Sequence, residues 1–402
     1  MIKSLKVALF LGTRSIIRGN IGVTLLIIAM LMLANLNLNF VSGLMDGIVH
    51  SANAKLINTY SSDMIVESGS DSPYVTNAQE LVGQIASIKG VDAVTYRSNL
   101  GAELDANDRR VNCVIRSIVP TQDSRVFDIT GSIIEGSYLN ENDTDSILLG
   151  IQLAGANRTN LELYSSSLKT VHAGDKIKVT YANGVTKQYT VKGIFYTEFI
   201  QTDLQAFVTE REFLSINPLA NDAATGIYIK TNSTGDFAPV IDAVSRLREN
   251  LQILTWEDTA GIVSSMTNSF AIIRSIMAVI NMLVAGITVF IVTYIDLTQK
   301  RRQIGIERAI GITPGAISMS YLFRAVFYAI VAILASLLVY KYAVIPLEAG
   351  HPFHFPFGDV LLFTNISQLV RSALIILGVS VIAALLPVWQ TLRLRILDAI
   401  WG

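Results

Sequence analysis

IGVTLLIIAMLMLANLNLNFVSGLM, residues 21–45, carries no charged side chain. A hydrocarbon core of about 30 Å is crossed by about 20 apolar residues in a helix, so this stretch reads as a membrane span. Three more stretches further along read the same way. Residues 269–295 are interrupted only by Arg274 near their start, residues 316–345 carry Arg324 and Lys341, and residues 370–389 end in ALLPVW. Between and around these four expected spans lie residues 1–20, 46–268, 296–315, 346–369 and 390–402.

The intervening segments differ in charge. The 402-residue chain is 51% hydrophobic and 16% charged, with a mean hydropathy of +0.47. Soluble domains usually hold about 25% charged residues, and this composition also excludes disordered, collagen-like and disulfide-scaffold classes. Residues 46–268 hold 27 acidic against 17 basic residues, whereas the rest of the chain holds 5 against 14. One acidic, water-facing domain within a basic, apolar remainder is the expectation.

Lys3, Lys6, Arg14 and Arg18 precede the first span. Lys300, Arg301, Arg302 and Arg308 follow the second, and Arg393 and Arg395 follow the fourth. With four spans these three segments share a side, and the positive-inside rule makes that side cytoplasmic. The expectation is a multi-pass plasma or inner membrane protein with both termini cytoplasmic and residues 46–268 extracytoplasmic. A cleaved signal peptide does not fit, because the apolar run is too long and lacks a small-x-small cleavage site.

Polar groups within the spans are candidates of their own. Arg274, Arg371 and Lys341 lie near outer ends, where long side chains snorkel to head groups. Arg324 is deeper, about 15 Å beyond Pro314 at 1.5 Å per residue; it either reaches the inner interface or forms an ion pair inside the bundle. Asn35, Asn37 and Asn39 recur at a spacing of two and so share no single helix face. Contact with a second chain and contact with water are both open for them.

Residues 46–268 alternate as strands with a few helices. DMIVES (63–68), VDAVTYRS (91–98) and VNCVIRSIV (111–119) read as strands, and Asn77–Lys89 as an amphipathic helix capped by Asn77. The order recurs in TGIYIKT (225–231), a helix over Asp236–Asn250, and LQILTW (251–256). Two β-α-β units predict a ferredoxin-like α+β part, interrupted by an inserted mainly-β subdomain over about 131–222. Within the insertion, KIKVTYANGVTKQYTVKGIFY (176–196) predicts a hairpin whose Asn183-Gly184 suits a type I′ turn. The predicted fold is thus membrane α-helical, with four transmembrane helices and a large α+β extracytoplasmic domain.

Little here suggests chemistry. Cys113 is the sole cysteine, so neither an internal disulfide nor a thiolate metal site is available. His351 and His354 share HPFHFPFGD with Asp359, which reads as a loop at the membrane interface rather than a metal site. Asp143 and Asp145 read as a solvated turn. No GxSxG, HExxH or phosphate-cradling G-x-x-x-x-G-K-[ST] pattern occurs, so the chain is expected to be non-catalytic and to hold no cofactor of its own.

The layout of one span, a large domain and three spans resembles the MacB/LolC–LolE/FtsX superfamily of ABC transporter permeases. ALFLGTRSIIRGNIGVTLLIIAM (8–30) is similar to the family's basic helix leading into the first span. KRRQIGIERAIGITPGAI (300–317) resembles its RxREIGxxRAxGA loop through Arg302, Ile304, Gly305, Ile306, Arg308, Ala309, Ile310 and Gly311. AALLPVWQTLRLRILDAIWG (383–402) resembles its exit pattern through Pro387, Leu397, Asp398, Ala399 and Ile400. ILLGIQLAGA (147–156) and AGDKIKVTYANG (173–184) are similar to a stretch of MacB-type extracytoplasmic domains. The chain departs from the pattern at Gln303, where Glu is usual, at Glu307, where an apolar residue is commoner, and at Arg324, near a usual Glu. It departs again at Arg395-Ile396, where Asp-Pro is frequent.

The resemblance implies a permease without a fused ATPase, with ATP and Mg bound on a separate ABC ATPase subunit that docks on Arg301, Arg302, Ile304, Gly305, Ile306, Arg308, Ala309, Ile310 and Gly311. It further implies a homodimer or a pairing with a homologous permease, an extracytoplasmic adaptor or substrate protein, contact with lipid, and no nucleic acid. The implied activity is mechanotransmission for export or extraction of a peptide, antibiotic or lipoprotein. The rival readings are a membrane-anchored sensor or scaffold and an FtsX-like regulator without transport. On its own physics, a helix over 300–312 exposes Ile304, Ile306, Ala309 and Ile310, which call for a surface to cover them.

Overall fold

The computed structural model describes residues 2–18, 21–69, 72–155, 166–232, 235–355 and 358–392. The chain divides into a helical unit (residues 1–49, 266–353 and 360–402) and a β-rich unit (residues 50–265 and 354–359).

Among the described residues, four helices are long and apolar enough to cross a membrane. They are longer than the apolar runs in the sequence. The first runs Ile21–Leu56 and the second Gly261–Gln299. The third runs Pro314–Val339 and passes through a π-helical turn at Tyr340–Val344 into Ile345–Gly350, and the fourth runs Ile366–Leu392. Hydropathy marks only the part of a helix suited to hydrocarbon; the hydrogen-bond ladder continues until a breaker ends it. Where the spans meet, small residues allow close approach: Ala34, Ala285, Ala325, Ala329, Ala332 and Ala384 are buried among Leu31, Leu38, Val289 and Ile376. The amphipathic helix Ile2–Arg18 packs along the third span.

In the β-rich unit, eleven strands build two sheets. They are β1 (Met64–Ser68), β2 (Val91–Arg97), β3 (Asn99–Ala106), β4 (Arg109–Ile118), β5 (Ile133–Gly136) and β6 (Ser146–Gly150). The rest are β7 (Lys176–Tyr181), β8 (Thr186–Phe195), β9 (Gln205–Thr209), β10 (Gly226–Thr231) and β11 (Leu251–Thr255). The first sheet is antiparallel in the order β11-β1-β10-β2, with helices Ala78–Ala86 and Ala238–Ser245 supplying Leu81, Val82, Ile85, Val240 and Val244 to its core. The second runs β5-β8-β6-β9-β4-β3-β7, and β7 pairs back onto β8. Six strands therefore close into a barrel around Leu104, Ile115, Leu149, Val179, Tyr189 and Val208.

Three expectations change. The inserted β part begins near residue 99, not 131, because β4 pairs with β9 in parallel and β3 pairs with β7. Alternation identified VNCVIRSIV as a strand but could not assign it a sheet, since pairing is non-local. Asn77 does not cap its helix: it sits at φ 50° with no side-chain bond. Asp222, 143 residues beyond Gln79, caps it instead, accepting from Gln79 N at 3.0 Å through its side chain and from Ala78 N through its carbonyl. The 176–196 hairpin does form, yet Gly184 (φ +84°) is in the left-handed region and Asn183 is not. A type I′ turn needs both central residues there. Gly184 N donates to Tyr181 O and Tyr181 N to Val185 O, the pattern of a type I turn followed by a glycine bulge.

Arg97 and Asp123 form an ion pair that is 0% exposed on both sides, with two bonds of 2.8 and 2.9 Å. The guanidinium lies 3.8 Å from the Phe127 ring centroid, 5.0 Å from that of Phe207 and 5.3 Å from that of Tyr228. Burial alone would lower its pKa, and the Asp123 carboxylate more than reverses that, so Arg97 stays charged. Phe207 belongs to the barrel and Tyr228 to the four-stranded sheet, so the pair sits at the joint between the two. Half-buried Cys113 has its thiol pushed up to about 12 by burial, which keeps it protonated and unreactive at neutral pH.

Candidate functional site: a short helix clamped to the ends of two spans

Between the second and third spans the chain makes one short helix, Arg301–Ala309. The second span ends at Gln299, and Lys300 (φ −95°, ψ 8°) breaks the direction. At the far end Gly311 has φ +98°. Its N–H donates to Arg308 O, and Ile312 N donates to Glu307 O. These are the two bonds of a Schellman stop, which requires a left-handed residue that glycine adopts without a Cβ clash. The Thr313 hydroxyl then accepts from Ala316 N, and Pro314 occupies the first turn of the third span. The sequence AIGITPGA thus spells a stop, a tight link and a start, leaving the short helix no slack at its C-terminal end.

Its inward side is fixed by packing. Ile304 is 4% exposed and joins Leu297, Ile317, Tyr321 and Val388 in one apolar cluster, with Ile312 against it. Gly305 is also buried. The outward side is bare: Ile306 is 49% and Ile310 73% exposed, and Arg302, Gln303 and Ala309 are exposed beside them. The expectation that Ile304, Ile306, Ala309 and Ile310 share one uncovered surface therefore divides. Ile304 is covered by its own bundle, because positions 304 and 306 point to opposite sides of a 3.6-residue turn. Arg301 and Arg308 are half-buried, and Gln303 Nε2 donates to Glu307 Oε1 at 3.1 Å.

Above the helix lies a charged cluster. Asp296 accepts from Arg324 at 2.7 Å and from Lys300 at 3.0 Å, with side-chain exposures of 18%, 12% and 31%. Of the two readings open for Arg324, the ion pair is the one observed. Its partner was missed because the apolar run ends at residue 295, which placed Asp296 in a loop. The Asp296–Lys300 spacing of four was the available signal that the helix continues. Arg324 also lies 5.0 Å from the Tyr321 ring centroid, and its Nε is buried without a partner. Lys300 Nζ donates to Ser15 Oγ at 3.2 Å, tying in the N-terminal helix. A cavity of about 370 Å³ opens between these elements, lined by Arg14, Lys300, Gln303, Glu307 and Arg324 among others. Charges at this depth persist only when paired or hydrated.

At the other end of the bundle, Arg274 donates to Asp46 at 2.5 Å, so an ion pair rather than a head group alone receives it. Lys341 and Arg371 are exposed, which suits contact with head groups. Asn35 and Asn39, four residues apart, do share a face and are both 0% exposed. Asn35 Nδ2 donates to Ser336 Oγ at 2.9 Å, and Asn39 Oδ1 accepts from Ser372 Oγ at 2.5 Å. Leu397, Asp398, Ala399, Ile400, Arg393 and Arg395 lie outside the described residues, as do the side chains of Lys3, Lys6, Arg18 and His354. Among the described residues, no group of three or more His, Cys, Asp or Glu side chains could hold a metal.

Residues 275–396, which include the short helix and the charged cluster, match the FtsX-like permease C-terminal family. The chain is 24% identical over 235 residues to the uncharacterized ABC transporter permease MJ1507 of Methanocaldococcus jannaschii, a match covering 56% of this chain and 55% of the relative. It therefore spans about half the length of that curated relative. Among solved structures, one similar chain is the extracellular domain of the noncanonic ABC-type transporter YknZ from Gram-positive bacteria. It shows 13% identity and a TM-score of 0.35 over 48% of this chain and 99% of that one. Another is the periplasmic region of MacB from Actinobacillus actinomycetemcomitans, with 12% identity and a TM-score of 0.36 over 53% of this chain and 96% of that one.

Proposed function

Because the chain is an ABC transporter permease of the FtsX/MacB type, we propose that it is the membrane subunit of an ATP-driven machine and that residues 301–311 receive the motion of a separate ATPase. The observation that carries this is the division of the short helix. One side is locked to both flanking spans by Ile304, Asp296 and the Gly311 stop, and the other presents Ile306, Ala309 and Ile310 uncovered. A force on the bare side acts on the second and third spans as on one rigid piece, and rigid-body displacement is an established route for carrying a switch across a fold.

ATP and Mg bind on the partner in this reading, and this chain performs no chemistry. The basic segments lie on the cytoplasmic side, and the β-rich unit is extracytoplasmic. Its strand order, fourth-first-third-second among β1, β2, β10 and β11, supports a ferredoxin-like porter-type part that responds to the motion. The cargo class is an exported or extracted substrate such as a peptide, antibiotic or lipoprotein.

The test is a detergent pull-down of the tagged full-length chain with Ile306→Glu and Ile310→Glu. A nucleotide-hydrolysing subunit should co-purify with the unaltered chain and be lost from the variants. These positions serve better than Gly305, which is buried and whose replacement would disturb the bundle itself. If an ATPase stays bound when both isoleucines carry charge, the docking assignment is wrong.

A further inference from the structure

The 370 Å³ cavity beside the short helix is short of negative charge. Arg14, Lys300 and Arg324 line it against Asp296 and Glu307, three cations facing two carboxylates. Asp296 accepts from both Lys300 and Arg324, and Glu307 accepts from the neutral Gln303. Arg14 is exposed, with its guanidinium 5.9 Å from the Phe10 ring centroid, and among the described residues no carboxylate pairs with it. Asp296 is the first residue past the apolar run, so the cavity stands where hydrocarbon gives way to head groups. Cations at that depth call for a counter-ion, and the chain supplies one too few.

A second cavity, of about 100 Å³, shares a wall with the first through Asp296, Gln299, Lys300, Tyr321 and Arg324. Its other walls are mostly apolar: Val23, Ile27 and Leu31 of the first span and Val289 and Val292 of the second. From Asp296 back to Val289 is about 10 Å along the helix at 1.5 Å per residue, so this cleft runs into hydrocarbon. A basic chamber at head-group depth opening onto an apolar cleft matches the two ends of a phospholipid. The charge matches as well. A phosphodiester brings one negative charge and oxygens that arginine and lysine donate to strongly, whereas a choline head group brings its own cation and leaves the count unbalanced. A free phosphate would fill the basic chamber and give the cleft no occupant.

We infer that this paired cavity binds an anionic phospholipid, its phosphate among Arg14, Lys300 and Arg324 and one acyl chain in the cleft between the first three spans. The bound lipid joins the N-terminal helix to the second and third spans, as Lys300 already does through Ser15. The inference goes beyond ATPase docking and uses no part of the bare side that carries Ile306 and Ile310. The test is native mass spectrometry of the full-length chain in neutral detergent. It is titrated with phosphatidylglycerol, with phosphatidylcholine, and with glycerophosphoglycerol, which is the first head group without its chains.

Phosphatidylglycerol should be retained in preference to phosphatidylcholine, and Arg14→Gln should weaken its binding about fivefold, the effect of one basic residue at a membrane surface. Arg14 is exposed, so this variant should unfold with the unaltered chain; Lys300→Gln should weaken binding further. Val23→Trp, at a position 40% exposed, narrows the cleft and should weaken phosphatidylglycerol alone. Arg371→Gln, exposed at the opposite end of the bundle, should change nothing. Equal retention of the two lipids overturns the inference, as does unchanged binding in Arg14→Gln or an equal loss in Arg371→Gln. Displacement of the lipid by glycerophosphoglycerol at matching concentration overturns it too, because the chain would then contribute nothing. The Ile306→Glu and Ile310→Glu variants separate the two proposals: lipid retained with the ATPase lost supports both, and lipid selectivity absent with the ATPase bound defeats this one alone.

Discussion

Among the described residues, each unit holds an arginine–carboxylate pair out of full contact with solvent, one fully buried and one half-buried, and the two are built differently. Arg97 and Asp123 meet through two bonds with no exposure, under three aromatic rings, and Tyr138 adds a third donor to the carboxylate at 3.1 Å. Arg324 and Asp296 meet through one bond, share the carboxylate with Lys300, and border an open cavity. In the first pair three donors converge on the Asp123 carboxylate, no second cation among the described residues shares it, and one guanidinium nitrogen, Arg97 Nη1, is buried without a partner. The second likewise leaves Arg324 Nε without a partner, but its carboxylate is shared with Lys300, so Asp296 keeps a counter-ion when either cation is lost. The difference fits the elements they join. Arg97 fixes a joint between two sheets, whereas Asp296 and Arg324 bind two spans at the point where a motion would enter.

Four sets of substitutions can break or sharpen this contrast. The largest effect is expected for Arg97→Ala, which leaves Asp123 buried without its partner; losing one member of such a pair typically costs about 3–5 kcal/mol. Thermal unfolding of the purified full-length chain should show it, and Arg97→Met with Asp123→Leu should recover much of the loss. If Arg97→Ala unfolds with the unaltered chain, the pair is not the joint described.

Next is the short helix, whose two sides should respond in opposite ways. Ile304→Ala removes a buried side chain and should destabilise by about 2–4 kcal/mol. Ile310→Glu, on the bare side, should shift unfolding by less than about 0.5 kcal/mol while abolishing ATPase binding. Equal destabilisation by both would mean that the exposed side is also packed.

Arg324→Ala should cost less than Arg97→Ala, about 1–2 kcal/mol, because Lys300 still neutralises Asp296. Lys300→Ala combined with Arg324→Ala should cost more than the two singly, since both serve one carboxylate. Additivity in that cycle would remove the argument for a shared carboxylate.

The smallest effect concerns Asp203, 2% exposed beside β9. Burial raises its carboxyl to about 7, against which hydrogen bonds from Thr197 act. A carboxyl with a raised folded-state pKa favours the protonated fold, so stability should fall as pH rises from about 4 to about 7. Asp203→Asn keeps an acceptor for Thr197 and should flatten that slope, by a few degrees in Tm across the interval. His172, held above its usual range by the hydrogen bond and charge of Glu135, is lost in the same direction. The Asn variant therefore has to be compared with His172→Gln before the slope is assigned.

Much of this was legible in local pattern. Four apolar runs gave four helices because hydropathy is local; the stop and restart around Gly311 are equally local, although only the structure brought them out. The strands of both sheets were mostly visible as alternation. The partners were not. VNCVIRSIV could not show that its neighbours are β9 and β3, nor could Asn77 show that Asp222 would cap its helix. Arg324 stood out at once as a charge in a span, while Asp296 was hidden by lying one residue past the hydrophobic run.

By itself the sequence determined what each segment must do with water: which runs enter hydrocarbon, which segment carries the acidic surface, and where glycine and proline force a turn. These follow from side-chain solvation and backbone sterics, which act over a few residues. Only the tertiary structure decided which way a side chain looks once its helix is placed. Asn35 and Asn39 face serines 301 and 333 residues away, Asn37 faces out, and Ile304 and Ile306 are divided between the bundle and the exposed surface. Helix phase and sheet closure depend on contacts between distant segments, and no local pattern encodes which distant segment arrives.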